Sequence, residues 1–140
     1  RGDALTLADA DAEAFGAVAA AYALPRGSEE EKQARSAAIA AGLAGAARPP
    51  ADVIRTALSL TGLAEDLLPA GNRNVITDVG AAAVAVRAAV ITSQLNIEVN
   101  LRGIKDGAVR EELTATAAMA DQIAERADRI VTAIREELRR

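Results

Sequence analysis

At 140 residues the chain has room for one domain with an ordinary core and little space for a second. Its 51% apolar content is overwhelmingly Ala with Leu, Val and Ile, and a single Phe, a single Tyr and no Trp suit closely approaching helices better than a pleated sheet. The absence of Cys and His removes disulfides, thiol nucleophiles, the usual zinc sites and the commonest general base, while a net charge of -4 without any run of Lys and Arg argues against a nucleic-acid partner.

A first helix is predicted from about Asp3 to Tyr22, with Ala8, Ala12, Phe15, Ala19 and Tyr22 on one stripe. Leu24-Pro25 ends it. Ser28 followed by Glu31 has the spacing of a capping box, so a second helix should start there and run through the Ala-rich stretch to about Ala47. Pro49-Pro50 stops that helix and presets the backbone of a third, since a first turn needs no amide partner. Its buried face is expected to hold Val53, Ile54, Ala57, Leu60, Thr61, Ala64, Leu67 and Leu68, and Pro69 and Gly71 close it.

A fourth helix is predicted from near Thr77 to about Leu101. Its most apolar part, Val79 to Ile91, is interrupted by Arg87 and falls short of the ~20 residues that cross a bilayer, so it reads as a buried helix and no membrane partner is expected. Asp106 is placed to cap a fifth helix that could extend to Arg140, with Leu113, Ala117, Ala120, Ala124, Ala127, Val131, Ile134 and Leu138 forming a packing seam. The expected fold class is therefore all-α, a bundle of about five helices with a long C-terminal member. Alternating acids in Arg1 to Asp11, where a signal peptide would be apolar, lead to the expectation of a cytoplasmic location.

Most of the charged residues need no explanation beyond solvation, but the segment GNRNVITDVGAAA differs. It sets Asn72, Asn74, Thr77 and Asp78 at the start of a helix whose next turns are almost wholly apolar. Asp78 there either caps or favours the helix N-terminus or lines a site at its mouth; capping explains Thr77 or Asp78 but not two extra Asn. Asn96 and Asn100 lie one turn apart, and Asn96 is 18 residues from Asp78, which returns to the same face roughly 27 Å away. An antiparallel pairing of this helix with its symmetry mate would bring the two ends together; a buried Asn pair that fixes register is the rival reading. Asp9, Asp11 and Glu13 point to different faces and read as a solvated acidic surface.

Four stretches in order, LADADAEAF at 7–15, AYALPRGSEEEKQAR at 21–35, GNRNVITDVGAAA at 71–83 and LNIEVNLRGIKD at 95–106, resemble the formiminotransferase-cyclodeaminase C-terminal family, which includes the free-standing methenyltetrahydrofolate cyclohydrolases. Family members usually carry Pro where Arg73 stands and Ser where Thr77 stands. The family's leading helical segment with a Pro-Gly-Gly-Gly-Ser loop has no counterpart in these 140 residues. The resemblance implies an all-helical homodimeric enzyme of one-carbon folate metabolism that uses neither a metal nor a cofactor beyond its tetrahydrofolate substrate. Asp78 would stabilise the cationic reaction centre or relay protons, and Asn74 would orient the ring or the water. Asn72, Thr77, Asn96 and Asn100 would bind substrate, with Arg73, Arg102 and Lys105 as candidate partners of the anionic glutamate tail. Hydrolysis of 5,10-methenyltetrahydrofolate to 10-formyltetrahydrofolate is the first expectation, since no formiminotransferase domain is attached. A cyclodeaminase releasing ammonia from the formimino compound and a non-catalytic helical dimerisation module are the alternatives.

Overall fold

The computed structural model describes residues 2–69 and 75–140, and every regular element among them is helical. In chain order these are α1 (Gly2–Ala23), α2 (Glu29–Ala46), α3 (Arg48–Leu67), α4 (Ile76–Leu101) and α5 (Gly107–Leu138). The count of five depends on the break between α2 and α3, where Ala47 serves as C-cap of one and N-cap of the other. Pro49 and Pro50, both buried in the first turn of α3, make that break, because neither ring can donate the amide hydrogen that a continuous helix would require.

The helix ends follow local chemistry. Ser28 Oγ accepts from the Glu31 amide at 3.1 Å while Glu31 Oε2 accepts from the Ser28 amide at 3.0 Å, so both halves of the capping box form at α2. Asp106 Oδ1 accepts from the amides of Ala108 and Val109 at 2.9 and 3.1 Å and starts α5. The turn between α4 and α5 lies close on α2: a Cβ added at Gly103 would push Leu43 Cδ1 aside, so a glycine here lets the turn and the leucine approach without that displacement.

α4 packs between α3 and α5, and α1 pairs with α2 to one side of that trio. The main core takes Ile54 from α3, Val90 and Ile97 from α4 and Leu113 and Ile123 from α5, each almost wholly buried, with Ala51, Ala57, Ala117, Ala120 and Ala124 letting the helix backbones close up. A second cluster at the other end joins Ala64, Ile76, Ala83, Ala127, Ile130 and Ile134. Arg126 clamps α5 to α3 with two parallel bonds to Glu65, Nε to Oε1 at 2.8 Å and Nη2 to Oε2 at 2.6 Å. The hydrogen bonds from Arg126 hold the Glu65 carboxyl below its ordinary value. Arg55 links α3 to Glu112 of α5 at 3.0 Å, and Arg87 of α4 reaches Asp128 of α5 at 3.0 Å.

Three sequence expectations are corrected. The stripe of α1 carrying Phe15 and Tyr22 faces outward, Phe15 being 71% exposed; the packing face is instead Leu7, Ala10, Ala14, Val18 and Ala21. Small residues win here because they permit a close α1–α2 approach: a Cβ added at Gly42 would sit 3.4 Å from the Val18 Cα. On α3, Leu60 and Leu67 are about half exposed rather than core. α4 is not a buried helix: it is long and apolar enough by length and composition to cross a membrane, yet only 22% of its most apolar window is buried. α3, α5 and, more lightly, α2 cover one side, leaving Val84, Leu95 and Val99 exposed. The α5 seam matches its expected burial except at Leu138, which is half exposed beyond the last neighbour, and the pattern passed over Thr116, Ile123 and Ile130.

Candidate functional site

The mouth of α4 is simpler than its sequence suggests. The helix begins after Val75, which makes no side-chain cap, so neither Thr77 nor Asp78 caps it. The Asp78 amide donates to the Val75 carbonyl at 3.0 Å, while its carboxylate is exposed in the first turn, where the helix dipole favours negative charge. Thr77 lines a shallow groove of about 500 Å³ against Val131, Ile134 and Arg135 of α5. Asn72, Arg73 and Asn74 lie outside the described residues.

A better-formed cavity of about 450 Å³ opens further along, between α1, α3 and α4. Its walls are Leu7 and Ala8 from α1, Pro49, Pro50, Val53 and Leu60 from α3, and Val86 and Ala89 from α4. Polar groups enter at the edge: Asp11, Thr56, Ser93 and Asn96. An apolar chamber of this size with a few polar groups falls in the range of small-molecule sites. Proline forms one wall because the α2–α3 break places both rings there, and the Ala residues of α1 and α4 leave the space open. Among the described residues no group of three acids could hold a metal ion.

The candidate residues are therefore distributed. Asn96 stands on the cavity rim, whereas Asn100 spends its side-chain amide on its own helix, Nδ2 donating to the Asn96 carbonyl at 2.8 Å. Arg102 is exposed at the C-cap of α4. Lys105 lies in a separate cleft, its Nζ 2.6 Å from Ser36 Oγ of α2. Within one chain Asp78 and Asn96 are held roughly 27 Å apart by the helix between them, so the structure does not gather the set into one place. Sequence reasoning passed over Thr56 and Ser93 and set Asp11 aside as solvated acidic surface. Asp11 could be separated from its acidic neighbours only by knowing the α1 face, since it lies one turn from Leu7 and Ala8 on the side turned to α4.

The fold and this cavity define, among the described residues, a helical domain with an apolar chamber between α1, α3 and α4. The chain belongs to the formiminotransferase-cyclodeaminase family, whose sequence profile matches residues 1–119. A methenyltetrahydrofolate cyclohydrolase from Methylorubrum extorquens is 41% identical over 102 residues, 73% of this chain and 49% of that protein, so the chain spans about half the length of this relative. A formimidoyltransferase-cyclodeaminase from Rattus norvegicus is 32% identical over 107 residues, 76% of this chain and 20% of the relative. The crystal structure of formiminotetrahydrofolate cyclodeaminase from Thermotoga maritima superimposes with a TM-score of 0.75 at 29% identity, covering 96% of this chain and 65% of the other.

Proposed function

We propose that the chain acts in one-carbon folate metabolism as part of a methenyltetrahydrofolate cyclohydrolase. The 41% identity to a protein of that name carries the reading, and the α1–α3–α4 cavity supports it by offering an apolar seat of about 450 Å³. In this proposal the pterin ring enters the cavity, its N–H groups donating to Asp11 and its edge meeting Asn96. Water then adds to the cationic carbon between two ring nitrogens; a tetrahedral centre forms, one carbon–nitrogen bond breaks, and the ring opens to the formyl compound.

A carboxylate near that carbon stabilises the positive charge and can take the proton from the incoming water. Asp78 is the proposed residue, with Asn74 orienting the water and Asn72, Arg73, Thr77, Asn100 and Arg102 as secondary contacts. Because one chain holds Asp78 roughly 27 Å from Asn96 on the cavity rim, the proposed site is completed by a second copy, α4 pairing antiparallel with its mate through Val84, Leu95 and Val99. The exposed apolar side of α4 supports that homodimer. A cytoplasmic location accords with such a role.

The test is the loss of methenyltetrahydrofolate absorbance on adding purified protein. Asp78→Asn should lower turnover more than tenfold with helicity and melting intact, and normal turnover would remove it from the mechanism. Asp11→Asn should act mainly on KM. The cyclodeaminase reading rests on the Thermotoga maritima structure, which covers more of this chain than the cyclohydrolase alignment does. Ammonia released from the formimino compound would decide for it.

A further inference from the structure

The chain contains two lysines, Lys32 and Lys105, 73 positions apart, and the fold brings both to one cleft of about 280 Å³ between α2 and the turn after α4. Arg35 and Ser36 complete its polar lining, and no carboxylate lines it. This concentration of positive charge stands out in a chain of net charge -4. We propose that this cleft binds a small multiply charged oxyanion, one presenting two or more carboxylate or phosphate oxygens, at a site separate from the apolar cavity and independent of the reading given to it.

The cleft is arranged in advance for such a ligand. Lys105 Nζ can only donate, so at 2.6 Å it occupies a lone pair of Ser36 Oγ and leaves the hydroxyl hydrogen for another acceptor. Thr61, Thr114, Thr116 and Thr132 donate their hydroxyls to the carbonyl four residues back; Ser36, also within a helix, is turned to Lys105 instead. Arg35 is fixed from the other side. Its Nε and Nη2 donate to the Tyr22 carbonyl at 3.3 and 3.1 Å, and its guanidinium lies 5.5 Å from the Tyr22 ring centre. A carbonyl and a ring face steer a guanidinium without neutralising it, and its remaining N–H groups stay available. Lys32 differs in being paired with Glu29 at 2.6 Å, so it is the adjustable member. Gly103, close on Leu43, forms the opposite wall of the cleft with Lys105.

The two lysines supply their own probe. Selective ¹³Cε-lysine labelling gives two signals from the intact chain, which can be titrated with inorganic phosphate and, separately, with citrate at constant ionic strength. The expected result is a saturating shift of both signals with one shared midpoint, on the order of 1 mM for so open a site. The anion with the lower midpoint identifies whether phosphate or carboxylate is preferred. Ser36→Ala should raise the midpoint at least about threefold by removing the hydroxyl donor. Ala40→Glu, which sets a carboxylate in the lining, should abolish saturation while the circular dichroism spectrum is retained. Shifts that never saturate, that sodium chloride reproduces, or that keep their midpoint in Ser36→Ala would overturn the proposal.

Discussion

α4 and α5 are neighbours along most of their length, yet their sequences and burial differ. α5 carries a clean seam of Leu, Ala and Ile on one side and charges on the other, and the seam is where it is buried. α4 is apolar nearly all round, and much of that surface is open. Amphipathic helices announce which side their neighbours cover; an evenly apolar one does not.

Perturbing the two helices should expose that contrast. Ile123→Ala on α5 empties a fully enclosed position and should cost about 3 kcal/mol in chemical denaturation, whereas a cost below 1 would mean the core collapses around the gap. Gly103→Ala forces Leu43 aside at the turn joining the two helices and should cost about 1 kcal/mol. Glu65→Gln weakens the α3–α5 clamp by about 1 kcal/mol or less, since both partners remain partly solvated. The sign of its pH dependence follows from the lowered carboxyl pKa. The clamp's contribution is complete above the ordinary value of 4.5 and disappears as pH falls through the folded-state value, so parent and variant should converge in acid. Val99→Ser on the open face of α4 should change folding stability by less than about 0.5 kcal/mol while weakening self-association in sedimentation experiments. A large loss of monomer stability in that variant would contradict the picture of an open face.

The elements most legible in the sequence were those governed by adjacent residues. Ser28 with Glu31, Asp106, and Pro49-Pro50 each settle a helix boundary through bonds made or denied within four positions. The facing of α1 was not legible, because an Ala-rich helix offers little contrast between its sides and the two bulky rings suggest the wrong one. The cavity was less legible still. It needs Asp11, Pro49 and Asn96 to meet across three helices, and no local pattern encodes an empty volume.

The α1 wall of the chamber comes from the opening turns of a helix whose one buried residue, Ala21, lies at its far end. Between the two, Leu7, Ala10, Ala14 and Val18 are only half-buried, so that wall is held more lightly at its opening turns than at its tail. An occupant filling the chamber would add contacts to those opening turns, and slowed amide exchange across residues 4–11 would report occupancy even for a compound that is never turned over.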